Sequence, residues 1–279
     1  MIYLVINMIN LTDYLDRLSI IKVLAFFLLV MLIFTLIPMI FDFYLGNLIF
    51  KLFLYGIMLV FFIYKFNEVD SKEFQSKFYF INALKNDFDS LFKVSKFHHI
   101  VFIVVANILF VSAVYFFLSY LDGLSLIQFS APLFGDFSSL NMDVISIYFL
   151  SVVILSPIIE EFLFRGIFLR RFNIVLDNLT LSILLSSILF GICHNFGGIL
   201  GAILFGICVS ILYIKSRNIL VPIFAHFLNN LFSFLLALSG IEYFIQGNSI
   251  IILLVIILAI VSNYVLFKAI FEEWPSRML

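Results

Sequence analysis

Six polar residues, set in three apolar stretches, carry the chemistry that this 279-residue chain holds within its hydrophobic segments. Glu160, Glu161 and Arg165 lie in Pro157-Ile-Ile-Glu-Glu-Phe-Leu-Phe-Arg165, His194 closes Phe190-Gly-Ile-Cys-His194, and His226 and Asn230 share His226-Phe-Leu-Asn-Asn230. Glu161 and Arg165 are four apart, so on a helix they share a face and pair in the favoured acid-before-base direction. Glu160 is turned about 100° from Glu161 and is free to face a cavity. His226 and Asn230 are also four apart and reach toward one point. A carboxylate, a single histidine and a His/Asn pair converging from three helices suit activation of water and stabilisation of an oxyanion.

Each element has a plainer reading alone: an ion pair that holds a helix, a packed histidine, an asparagine bonded to a neighbouring helix. The order and spacing of all three on successive apolar stretches favour chemistry. Zinc competes, because Glu160, His194 and His226 form an acceptable catalytic donor set with one open position. The chain lacks the His-Glu-x-x-His helix that puts two ligands on one face, so a metal is disfavoured and no cofactor is expected. Cys193 and His194 are adjacent and diverge by about 100° on a helix, which is poor geometry for a thiolate and its base. Ser156 has no evident base nearby and reads, with Pro157, as part of a helix kink. His98 and His99 form an exposed pair beside a hydrophobic stretch. A proton-coupled transporter would also use intramembrane carboxylates and histidines, but no internal repeat of the kind such folds show is visible.

Composition decides where these residues must sit. At 64% hydrophobic, 12% charged and a mean hydropathy of +1.21, the chain has too much apolar surface for a soluble domain of its size to bury. A formal charge of −1 offers no footprint for nucleic acid. Cys193 and Cys208 both lie in apolar runs, so no disulfide framework is implied. The first eleven residues are apolar but lack the basic region and cleavage site of a removable signal. Eight apolar stretches are candidates for membrane spans: Leu18–Phe41, Tyr44–Tyr64, Ile100–Leu121, Val144–Leu169, Leu179–His194, Ile199–Ile214, Ile219–Leu238 and Ile250–Phe271. Their continuous hydrophobicity argues for helices and against a β-barrel. The expectation is an all-α, polytopic membrane helix bundle, one integral domain over 1–279 with its motif-bearing core at 144–238. With a cytoplasmic N-terminus, 14 of the 16 Lys and Arg fall inside, which places both termini in the cytoplasm of a cell-membrane protein.

The Lys-rich segment between the second and third spans is also ordered in its spacing. Phe74, Phe78, Ile81, Leu84, Phe88 and Phe92 recur at three- and four-residue steps, with Lys77, Asp87, Asp89 and Lys93 on the other face. This predicts a helix lying in the membrane interface. Gly198, Ala202, Gly206 and Ser210 make a small-residue ridge of period four, read as a packing surface. Glu160 and His194 lie seventeen residues either side of Asp177, so antiparallel helices bring them level. The same counting leaves His226 about 12 Å from His194 in depth at 1.5 Å per residue, unless the helices tilt.

In the order Glu-Glu-x-x-x-Arg, Phe-x-x-x-His and His-x-x-x-Asn, the sequence from Val144 to Leu238 resembles the CPBP intramembrane protease family. That family includes CAAX-processing prenyl endopeptidases and bacterial proteins linked to bacteriocin processing and self-immunity. The resemblance implies that Glu160 activates water with His194 as its partner, and that His226 and Asn230 stabilise the oxyanion. Glu161, Arg165 and Phe190 match supporting motif positions. It further implies an endopeptidase acting on a membrane-associated peptide or protein in the lipid bilayer, with no obligatory metal. A non-catalytic peptide-binding or bacteriocin-immunity protein is the alternative.

Overall fold

A computed structural model describes residues 10–40, 46–71, 79–129, 133, 137 and 140–275. Among them there are eleven helices and no strand: α1 (Leu11–Asp16), α2 (Ile20–Ile40), α3 (Asn47–Val69), α4 (Tyr79–Val94), α5 (Phe97–Gly123), α6 (Met142–Leu176), α7 (Leu179–Ile192), α8 (Ile199–Ser216), α9 (Leu220–Ser239), α10 (Ile241–Gln246) and α11 (Ser249–Glu272). The eight expected apolar stretches correspond to α2, α3, α5, α6, α7, α8, α9 and α11. Six of these helices are long and apolar enough to cross a membrane. By contrast, the 14 residues of α7 reach about 21 Å, less than a hydrocarbon core of about 30 Å. The all-helical polytopic bundle stands.

Helix α6 runs 35 residues and changes register twice. Pro157 has no N–H, so it cannot continue an i→i−4 ladder. The turns before it widen into a π-helix over Phe149–Leu155, where the Ser156 amide donates five residues back to the Ser151 carbonyl. A second π segment spans Phe162–Leu169. Glu160 and Glu161 therefore sit on a short α-helical stretch, Ser156–Glu161, between two π-helical ones, a form that recurs at functional sites. At its far end α6 stops on Asp177 in the left-handed conformation (φ 47°). The Asn178 side chain then caps α7 by accepting from the Leu181 amide. That tight reversal brings Glu160 and His194 level, as the counting anticipates.

Neighbouring helices set the site by packing. Phe62 and Phe66 of α3 meet Phe162 of α6 edge to face at 5.1 and 5.9 Å, a geometry favoured by the ring quadrupoles. Tyr55 lies seven residues before Phe62, on the same face of α3, so this aromatic clamp also turns Tyr55 toward Glu160. The ridge on α8 packs closely, as expected: a Cβ on Gly206 would stand 3.1 Å from Ser187 Cβ and 3.2 Å from Ser187 Cα of α7. Its reading as packing alone needs correction. A Cβ on Gly206 would stand 3.1 Å from Arg165 Nη2, and the bare Gly206 carbonyl is a hydrogen-bond acceptor for that guanidinium.

The interfacial helix is α4. Ile81, Leu84, Phe88 and Phe92 point outward and are exposed, as an anchor in a bilayer surface requires. Phe74, Lys77 and Phe78 lie outside the described residues. The expected solvated position of Asp87 is corrected: it is 3% exposed, because its face packs on α1 rather than facing water. Asp87 Oδ2 accepts from the Leu11 amide at 2.9 Å, satisfying a donor that the start of α1 leaves free, and Asn218 Nδ2 donates to its backbone carbonyl.

Burial pushes the Asp87 carboxyl up to about 7. Between about pH 4 and pH 7 the folded protein keeps a proton that the unfolded chain releases, so this group lowers stability as pH rises through that window. Asp87→Asn keeps an acceptor for Leu11 and removes the ionisation. Its thermal midpoint is expected to gain on wild type more at pH 8 than at pH 5. Melting curves at the two pH values check this, and an equal gap at both overturns it.

Candidate active site

Glu161 and Arg165 form the expected ion pair and are wholly buried. Arg165 Nη1 donates to Glu161 Oε1 at 3.0 Å, with both side chains 0% exposed. Arg165 Nη2 reaches the Gly206 carbonyl at 3.2 Å, and the guanidinium lies 4.5 Å from the ring centroid of Phe190, a cation–π contact in a desolvated setting. The ion pair also reaches beyond α6. Glu161 Oε1 also accepts from His226 Nδ1 at 2.8 Å. That bond fixes the His226 tautomer and leaves Nε2 facing Glu160, in the way a buried carboxylate orients a catalytic imidazole.

Glu160 turns the other way and is 17% exposed. One of its oxygens is occupied and the other is open. Oε1 accepts from the Tyr55 hydroxyl at 2.8 Å and from the Ser156 hydroxyl. Oε2 stands 4.0 Å from His226 Nε2, too far for a direct hydrogen bond and a distance that one water can bridge. The expectation that Ser156 has no base nearby is corrected: its hydroxyl donates to the Glu160 carboxylate. The carboxylate four residues on is its partner, and the hydroxyl serves Glu160.

His194 sits just beyond the end of α7. Its Nδ1 is 2.8 Å from the Phe190 carbonyl, so this nitrogen carries the proton and Nε2 is free for other partners. Phe190 is the hub between the two histidines: its ring meets His194 at 4.7 Å and His226 at 5.4 Å, both edge to face. This shared ring removes the depth gap that residue counting gives.

Asn230 donates through Nδ2 to the Val152 carbonyl at 2.9 Å. Proline explains this bond. In the π register around Ser151, the next donor in line for Val152 is Pro157, which has none. An unpaired carbonyl inside a bundle is costly, and Asn230 satisfies it with one of its two amide hydrogens. A chain of amides supports Asn230 from behind, Asn107 Nδ2 to Asn229 Oδ1 at 3.0 Å and Asn229 Nδ2 to Asn230 Oδ1 at 3.5 Å.

Glu160, His194, His226 and Asn230 all line one cavity of about 570 Å³. Its wall is apolar toward α2 and the second half of α6, with Phe27, Met31, Phe164 and Phe168, and Lys51 of α3 lies at its edge. His194, His226 and Asn230 also border a second cavity of about 180 Å³ on the side of Asn107 and Asn229. The polar residues thus separate two hollows inside the bundle. Each histidine keeps one ring nitrogen free, but among the described residues no three His, Cys, Asp or Glu side chains gather into a group that could hold an ion.

Sequence reasoning did not reach Tyr55, Asn107 or Asn229. Tyr55 is one of 12 tyrosines, in a different helix from the motifs, and nothing in its neighbourhood marks it. Pro157 was a usable signal for Asn230, since a proline inside a span leaves a carbonyl that another helix must satisfy.

No curated protein and no solved structure matches the chain. The family model described as type II CAAX prenyl endopeptidase Rce1-like matches residues 143–232, the stretch that holds every motif residue and about a third of the chain. With those residues gathered around one cavity, that match supports the assignment of this chain to the CPBP/CAAX protease family.

Proposed function

We propose that the protein hydrolyses a peptide bond of a membrane-associated peptide or protein, using water activated by Glu160. The observation that carries this reading is the unequal treatment of the two Glu160 oxygens. Tyr55 and Ser156 hold Oε1, while Oε2 is left at the cavity, opposite His226 Nε2. A water between them gives a proton to Glu160 as its oxygen attacks the substrate carbonyl. His194, oriented by the Phe190 carbonyl, holds the water or the carboxylate from the other side. The carbonyl oxygen becomes an oxyanion, met by the second amide hydrogen of Asn230 and by His226. His226 donates from Nε2 when both ring nitrogens carry protons, with its Nδ1–H hydrogen-bonded to Glu161. The C–N bond then breaks, and the proton held by Glu160 passes to the leaving amine. The apolar wall suits a lipid-like or hydrophobic substrate segment, and Lys51 suits an anionic group beside it. We place both termini on the lysine-rich, cytoplasmic side.

The test is cleavage of membrane peptides by the reconstituted protein in ¹⁸O-labelled water, with the products read by mass spectrometry. One ¹⁸O in each new carboxyl terminus is expected. Activity is expected to survive exhaustive chelation. Stoichiometric metal in the purified protein, with activity lost on chelation and restored by zinc, overturns the metal-free step. No cleavage of any membrane peptide, with wild type and Glu160→Gln equal in the cell, favours the peptide-binding or immunity reading instead.

A further inference from the structure

The smaller hollow beside the site, about 180 Å³, has room for about six waters at the volume each occupies in the liquid. A wholly apolar void of this size stays dry, whereas a roomy cavity with polar partners fills. Ile108, Val111 and Phe205 form part of this wall, but Asn107, Asn229, Asn230, Ser233 and the two site histidines form the rest. Asn107 is 5% exposed, and its Nδ2 donates to Asn229. Among the described residues no donor reaches its buried Oδ1. An acceptor left bare inside a membrane bundle is costly, and a water in the hollow removes that cost.

The position of the hollow gives such water a use. His194, His226 and Asn230 border it on one side and the Glu160 cavity on the other. A hydrophobic substrate segment lying in the larger cavity, against Phe27, Met31, Phe164 and Phe168, expels water from that side. Hydrolysis nonetheless consumes one water for each bond broken, between Glu160 Oε2 and His226 Nε2, which stand 4.0 Å apart. Water held behind the histidines can reach that position without passing the substrate.

We propose that this hollow is a water reservoir that supplies the hydrolytic water while substrate fills the Glu160 cavity, with Asn107 Oδ1 as its fixed anchor. This role rests on the hydrolytic reading of Glu160 and adds the route by which its water arrives.

The test reads the water and the chemistry separately. The full chain in nanodiscs is exposed to short X-ray pulses, which turn bound water into hydroxyl radicals that oxidise the nearest side chains. Phe205 lines the hollow and not the Glu160 cavity, while Phe62 sits in the packed core. The two are 2% and 0% exposed, so oxidation of Phe205 about tenfold above that of Phe62 is expected from internal water alone. Asn107→Leu, which removes the bare acceptor, should lower that label. Ala202→Leu on α8 and Ser233→Leu on α9 fill the hollow from two different helices, so one can carry the test if the other fails to fold. Each should erase the Phe205 label and lower kcat about tenfold with KM little changed, because the substrate wall is untouched. Ala202→Val should fall between Ala202→Leu and wild type in both readouts. Phe205 oxidised no more than Phe62, in protein that cleaves, overturns the reservoir and leaves Glu160 in its role. Filled variants that lose the label and turn over as wild type does overturn the supply route. Wild-type protein that labels Phe205 and cleaves nothing removes the hydrolytic reading, and the supply role falls with it although the hollow is wet.

Discussion

Glu160→Gln is expected to fold and insert as wild type does and to lose hydrolysis by about 10²–10⁴-fold, the range for removal of a general base. The glutamine has the same shape, and its Oε1 still accepts from Tyr55 and Ser156, so the contacts that hold the side chain persist. At the other position an N–H₂ group replaces Oε2, and it cannot take a proton from water. The loss should fall on kcat, with KM little changed, because the apolar wall that binds substrate is untouched. Tyr55→Phe and Ser156→Ala test the same geometry more gently. Each leaves the other hydroxyl on Oε1, so single losses are expected to be about ten- to a hundredfold, since a hydrogen bond to a charged group is worth about 1.5–3 kcal/mol. The double variant should lose more than the product of the two, as residues sharing one partner do. Rates and folded yields measured together decide it. Wild-type turnover in Glu160→Gln removes the glutamate from the chemistry.

How much of this arrangement is visible in the sequence depends on whether a contact is local. The i,i+4 spacing of Glu161 and Arg165 encodes their ion pair, and the one-residue offset of Glu160 encodes its opposite orientation, because both follow from helix geometry alone. The eight apolar stretches are legible for the same reason. The tie from Glu161 to His226 spans 65 positions, and the one from Tyr55 to Glu160 spans 105; helix periodicity says nothing about either. Nor does it reveal the two π-helical segments, which depend on how α6 accommodates Pro157 and its neighbours. Asp87 shows the reverse error. Its place in an amphipathic pattern suggests solvent, but the polar face of α4 meets α1 rather than water. Polar faces of interfacial helices are solvated only where no other part of the chain covers them.

Arg165→Ala should act on the fold first. Removal of one partner from a buried ion pair costs about 3–5 kcal/mol, a large share of a stability of about 5–15 kcal/mol. In this bundle the loss leaves Glu161 fully buried with His226 as its remaining partner, and it also strips the Gly206 carbonyl and the face of Phe190 of the guanidinium. Folded protein recovered from membranes is therefore expected to fall sharply. Arg165→Lys should fall between, because an ammonium lacks the planar fork that meets Glu161 and Gly206 together and stacks on Phe190.

The discriminating variant is the double change Glu161→Gln with Arg165→Met. It removes both charges at once and leaves no unmatched ion, so folded yield should recover well above that of Arg165→Ala. Activity should not return with it, because an amide at position 161 can turn either its oxygen or its N–H₂ to His226 Nδ1 and no longer fixes the ring as the carboxylate does, and loss of one oxyanion donor costs about 10²–10³-fold. Fluorescence-detected size exclusion and the ¹⁸O cleavage assay on the same preparations separate the two effects. If Arg165→Ala instead folds normally and fails only in turnover, as Glu160→Gln does, the pair belongs to the chemistry rather than to the fold. If the double variant folds and cleaves, the carboxylate of Glu161 has no part in orienting His226.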